Sequence, residues 1–339
     1  LKVKVLCLLV LVLALSQFAP PTAGQVQQSS TGEDAPASFD ERLGPDDGAA
    51  LAILIGANQR GNLDLCDCSH PRGGLARRVG YVSAFKQKFK ETPVLQVDAG
   101  FLFYGAAGYP KYAMVMNDQV VRAYSRWTLD VVNLGRLDLI YAQKLFAREG
   151  LAERITESPI LKNMISANGV FQPGVEPPPG YIVKEVTGPR LPRGGKLKIA
   201  FVGLAEPQKA SGGLAGNTVT NMFETARRKV LEAKKDADLV VIVAHAEWEG
   251  SRRLATENPE ADIVISGNAE GFFKPVTIGK VLVVPASPGN MKQGDLRVYF
   301  DKAGNATFKF KATDLDELVP ADAAALAFMD AARSERQRR

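Results

Sequence analysis

Histidine is almost missing: His70 and His245 are the only two in 339 residues. A metal centre that draws several imidazoles from one chain is excluded at once. Cysteine is nearly as scarce, with Cys7, Cys66 and Cys68. Two cysteines without histidine partners make a poor zinc site. The one apolar run near the N-terminus, Val5–Leu15, falls short of the roughly 20 residues that span a bilayer. The charge imbalance is also small. The formal charge is +5, and 5 − 2 = +3 remains if Lys2 and Lys4 leave with an N-terminal segment. That is too mild for a nucleic-acid partner. No internal repeat is present.

What is there suits a globular protein: 46% hydrophobic and 23% charged residues give ample material for a core. The length allows one large domain or two small ones. Residues 1–24 read as a secretory signal, with Lys2 and Lys4, a short apolar run, and small residues around Pro20–Gly24 near a cut site. Cys7 lies too early for lipid attachment. Export to the periplasm or the medium is expected, with membrane association only if this segment stays uncleaved. In an oxidising compartment, Cys66 and Cys68 either close a small disulfide or remain two thiols. Residues 25–48 are polar and rich in Pro and Gly, and are expected to form a flexible linker.

From Leu51 onward, short apolar runs alternate with amphipathic stretches. Strands are predicted at Leu51–Ile55, Pro93–Val97, Leu129–Asn133, Lys196–Gly203, Asp238–Ala244, Ala261–Ser266, Lys280–Pro285 and Asp295–Asp301. Pro159–Asn168 reads as a strand running into a loop. Helices are predicted at Gly73–Lys90, Lys111–Trp127, Asp138–Gly150 and Val219–Lys235, and over Ala321–Arg339, which ends in a basic tail. The alternation defines an α/β protein.

Several segments fall in a telling order. They are Gly61–Arg78 with its Cys-Asp-Cys and Gly-Gly-Leu-Ala-Arg-Arg, Val97–Gly100, Val132–Leu139, Ile165–Asn168, Ala237–His245 and Ala261–Gly267. Together they resemble the metallophosphoesterase (calcineurin-like) domain of secreted bacterial 5′-nucleotidases and 2′,3′-cyclic-nucleotide phosphodiesterases, over roughly residues 50–313. The resemblance implies a four-layer α/β/β/α sandwich over 49–315, followed by a C-terminal helix and basic tail at 316–339. It also implies a site at strand C-termini, where Asp, His and Asn side chains hold two divalent cations that activate a water. No counterpart to the second, base-stacking domain of complete periplasmic 5′-nucleotidases follows in this sequence, so nucleoside recognition is not expected.

Carried over position by position, the ligand set is degenerate. The opening Asp-x-His falls on Asn58-Gln59-Arg60, the bridging Asp on Phe101, and the Asn-His pair on Arg136 and Leu137. His245 keeps a ligand-type side chain, and the last motif falls on Gly267, Asn268, Ala269 and Glu270. Arg offers no lone pair to a metal. No resident metal or cofactor is therefore expected, beyond a single adventitious divalent ion at His245 and Glu270. Asp98 and Asp138 read as structural, the latter suiting a helix N-terminus. His245 reads first as a satisfied strand-end histidine, and His70 as exposed.

Arg60 and Arg136 leave two readings open. Either Asp98, Glu247 or Glu270 plugs the two guanidiniums, or they form a pocket for a phosphate-like anion. The expected function is a non-catalytic binding or accessory subunit of the cell envelope with an unknown protein partner. The alternatives are a weak phosphoester hydrolase and a structural envelope subunit.

Overall fold

A computed structural model describes residues 38–105, 111–207, 219–269, 271, 273–286 and 290–338. The expected signal segment, residues 25–37 of the expected linker, Cys7, Glu270 and Arg339 lie outside the described residues. Residues 38–339 form one compact unit.

Two six-stranded sheets make the core. The first contains β1 (Leu51–Gly56), β2 (Val94–Asp98), β3 (Val131–Asn133), β4 (Met164–Ile165), β11 (Lys292–Phe300) and β12 (Ala306–Asp314). Its order is β12-β11-β1-β2-β3-β4, with β1 to β4 parallel. The second contains β5 (Tyr181–Thr187), β6 (Lys196–Ala205), β7 (Leu239–His245), β8 (Ile263–Ser266), β9 (Val276–Ile278) and β10 (Val281–Pro285), in the order β5-β6-β7-β8-β10-β9. β6, β7, β8 and β10 run parallel.

The sheets pack face to face. Ile53, Ile55, Val97 and Leu296 of one meet Ile199, Phe201, Val241 and Ile265 of the other in a shared core. Strands buried on both faces need unbroken apolar runs, and β7 is buried at every position but its last. Each such side chain contributes about 1.5–3 kcal/mol by leaving water.

Helices cover both outer faces. On the first sheet lie α2 (Leu75–Lys88), α3 (Lys111–Arg126), α4 (Asp138–Ala147) and α9 (Ala323–Gln337). On the second lie α7 (Met222–Ala233) and α8 (Trp248–Glu257). Short turns α1 (Phe39–Leu43), α5 (Glu153–Thr156) and α6 (Pro192–Gly195) complete the set. The result is the α/β/β/α sandwich.

Two expectations are corrected. The linker reading of 25–48 fails from Ser38 on. α1 is capped by the Ser38 side chain and buries Phe39 and Leu43 against Tyr81 and Phe85. Asp46 and Asp47 are tied to Arg190 and Arg297. The C-terminal helix forms as expected and packs onto the fold. Ala325, Met329 and Ala332 are buried, and Arg333 and Arg336 both reach Asp64, at 2.7 and 2.6 Å. Pro159–Asn163 is a 3₁₀ turn, and only Met164–Ile165 pair as a strand. Proline at the first helical position starts that turn without a lost donor.

Candidate functional site

The parallel strands of both sheets end on the same side of the sandwich, where α/β sheets place their ligand sites. Loops after β1, β2, β3, β7 and β8 meet there at close range. A Cβ on Gly267 would lie 2.4 Å from the Ala99 carbonyl oxygen. One on Gly100, at φ 113°, would lie 2.8 Å from the His245 Cβ. Any side chain at either position would force the two sheets apart.

His245 sits half-buried at the end of β7. Its ring tautomer follows from its neighbour. Asn58 donates from Nδ2 to the Gly267 carbonyl at 2.7 Å. Its Oδ1 therefore faces His245 Nε2 at 3.2 Å and must accept. Nε2 carries the proton, and the remaining lone pair, on Nδ1, faces Gly135. Burial, aided by the positive charges of Arg60 and Arg136, pushes the imidazole pKa down to about 4. The ring is neutral at physiological pH.

Phe101 meets the His245 ring edge-to-face with centroids 5.8 Å apart. The Arg60 guanidinium stands 4.9 Å over the Phe101 ring, a cation–π contact. Asn58, Arg60 and Phe101 all take left-handed backbone conformations, at φ 60°, 56° and 58°. Arg136 is half-buried beside the same histidine, and its pKa is lowered by burial. Among the described residues, neither Arg60 nor Arg136 forms an ion pair. Asp98 is engaged by Arg78 instead, at 3.8 Å. Leu137 caps α4 half-buried, its backbone packed on Gly105.

Six of the residues named from sequence thus converge: Asn58, Arg60, Phe101, Arg136, Leu137 and His245. Asn268 stands on the neighbouring loop, where it lines a separate cleft with Glu247, Trp248 and Phe273. Glu270, paired with His245 in the expectation of an adventitious cation, lies outside the described residues. Among the described residues, no group of three or more His, Cys, Asp and Glu side chains could share a metal ion.

Asp138 carries the loops. Its carboxylate accepts the backbone N–H groups of Phe101 at 2.6 Å, Phe103 at 2.7 Å and Gly135 at 2.8 Å. Burial raises its pKa to about 8 despite those three amides. Asp98 is fully buried as well, raised to about 7 by burial against the pull of Arg78 and the Gly100 amide.

The residue that composition and order left unnoticed is Arg78. It is 4% exposed, fills the space over Gly56, faces Asp98 and donates to Asn290 Oδ1. The available signal was helical spacing, since Arg78 shares the apolar face of Leu75, Val82 and Phe85. Cys66 and Cys68 are joined in a disulfide on the loop before α2, and His70 beside them is exposed.

This architecture is that of the metallophosphoesterase fold. No family model matches the sequence, and no curated protein matches it. Solved structures do match. A 5′-nucleotidase precursor from Thermus thermophilus is 20% identical, with a TM-score of 0.62 over 84% of this chain and 58% of its own. The sulfate thiohydrolase SoxB of T. thermophilus is 16% identical, with a TM-score of 0.66 over 85% of this chain and 61% of its own. The calcineurin-like phosphoesterase YfkN of Bacillus subtilis is 19% identical, with a TM-score of 0.64 over 85% of this chain and 98% of the matched chain. The chain therefore spans less than two thirds of the first two and nearly all of the third.

Proposed function

We propose that this is an exported, non-catalytic relative of the 5′-nucleotidase-type phosphoesterases, an accessory protein of the cell envelope. Its former metal pocket receives a phosphate-like or carboxylate anion without cleaving it. The observation that carries this reading is the pair of guanidiniums, Arg60 and Arg136, that act on His245 with no carboxylate partner among the described residues.

The donor set at this place does not fit two divalent cations. Phe101 and Leu137 have no lone pairs, and two arginines add charge of the same sign as a metal. Asn58 Oδ1 is already taken by His245. The same two positive groups suit an anion, which Arg binds through its planar fork. Export is supported by the composition of residues 1–24, and no helix among the described residues is long and apolar enough to cross a membrane.

The test is metal analysis of the purified protein together with turnover of chromogenic phosphomonoesters and phosphodiesters in Mn²⁺. The reading expects far less than one bound ion per chain and no turnover above the metal blank. Hydrolysis that disappears in His245→Ala would overturn it.

A further inference from the structure

The disulfide between Cys66 and Cys68 has no evident structural task. It bridges residues only two apart, so it constrains almost nothing in the unfolded chain. The loop that carries it is held by other bonds. Leu65 pairs with Gly73 as an isolated bridge, and the Cys66 amide donates to the Arg72 carbonyl at 2.9 Å. The Gly73 amide donates to the Leu315 carbonyl at 2.8 Å, Arg72 pairs with Asp314 at 3.0 Å, and Asp64 holds both Arg333 and Arg336. Removing the S–S bond leaves every one of these in place.

The surroundings are arranged for the reduced pair. The Arg72 backbone N–H points at Cys66 Sγ from 3.2 Å, where it would stabilise a thiolate. The His70 carbonyl oxygen lies 3.1 Å from Cys68 Sγ, an acceptor ready for a thiol proton. Cys68 is exposed and Cys66 is half-buried, so the two sulfurs are not equivalent to an incoming group. Arg77 adds a guanidinium beside the loop that, among the described residues, donates to the carbonyls of Pro71 and Leu315 and joins no carboxylate.

We propose that the Cys66–Cys68 pair is a thiol–disulfide exchange site that accepts two electrons from an accessible dithiol. The partner's first thiolate attacks Cys68 Sγ. A mixed disulfide forms, the Cys66–Cys68 bond breaks, and Cys66 leaves as a thiolate facing the Arg72 amide. The partner's second thiolate then attacks its own sulfur in the mixed disulfide and releases Cys68. The two protons of the partner end on Cys66 and Cys68. The partner becomes a disulfide, and this chain a dithiol.

This inference is independent of the anion pocket. It is tested on the oxidised full-length chain under native conditions. Dithiothreitol or glutathione is added, free thiols are alkylated, and the tryptic peptide 61–72, bracketed by Arg60 and Arg72, is weighed. The pair is expected to open fully with dithiothreitol while the thermal midpoint moves by less than about 2 °C. Glutathione, a monothiol, is expected to open it less at equal thiol concentration. A pair that stays closed until the chain unfolds, or a larger fall in the midpoint on reduction, would overturn the proposal. Early alkylation of the reaction with reduced glutathione then tests the direction of attack. Peptide mapping is expected to find glutathione on Cys68 and the alkyl group on Cys66. Glutathione equally or mainly on Cys66 would contradict the assignment of Cys68 as the attacked sulfur.

Discussion

At Asn58 a single amide decides what His245 can do. Its Nδ2 is committed to Gly267, so its Oδ1 takes the Nε2 proton and fixes a neutral ring. Burial, aided by two guanidiniums, then keeps that ring neutral well below the usual imidazole range. In an NMR titration, His245 is expected to change charge near pH 4, and Arg136→Gln is expected to move its pKa upward, because one of two repelling charges is gone. The effect on stability has a definite sign. A histidine whose folded pKa lies below its unfolded value contributes stability above pH 6.5 that is lost as pH falls toward 4. Wild type should therefore lose stability relative to His245→Gln across that window in thermal melts.

The residues of this pocket were legible in the sequence, because segment order brings Asn58, Arg60, Phe101, Arg136 and His245 together at the strand ends. Of the carboxylates weighed as a plug, Asp98 faces Arg78. Which of two adjacent arginines turns inward depends on helix phase, and order alone did not reveal it.

Among the elements, α4 matters most for the site, because its first residue holds two loops at once. Asp138 gathers the amides of Phe101, Phe103 and Gly135 on its two oxygens. An asparagine there must turn its NH₂ toward at least one of those donors. Asp138→Asn is expected to cost about 1–3 kcal/mol in urea unfolding, the range for leaving a buried group unsatisfied. A change below about 0.5 kcal/mol, typical of a neutral surface substitution, would refute that role. α9 makes a second test. Met329 is buried against α2 and α3, so Met329→Ala should cost about 2–5 kcal/mol.

The strands and helices read correctly from sequence are those with continuous apolar runs or clear helical spacing, such as β1, β7 and α2. β5 and β12 escaped because they are edge strands, where lysines alternate with apolar residues as a guard against edge pairing. The Phe308-Lys309-Phe310-Lys311 alternation was a usable signal for β12. α8 was missed because its apolar face is narrow, with Trp248, Leu254 and Ala255 its buried apolar residues. α1 was hidden by its polar setting, since Phe39 and Leu43 alone bury it.

At the scale of the whole molecule, two sheets back to back bring five strand ends to one place. The alternation in the sequence indicated layers, but it could not show that β5 through β10 form a second sheet. That follows from register, as in the pairing of β6 to β7 from Ile199 and Leu239 to Ala205 and His245. Arg60 and Arg136 set the charge of the pocket beside His245.

Calorimetric titration of inorganic phosphate into the full chain after dialysis against EDTA tests this most directly. Binding is expected without any metal and is expected to weaken by at least tenfold in the Arg60→Ala/Arg136→Ala variant, since each charged hydrogen bond is worth about 1.5–3 kcal/mol. Binding that needs added Mn²⁺, or that persists unchanged in the double variant, would contradict the account.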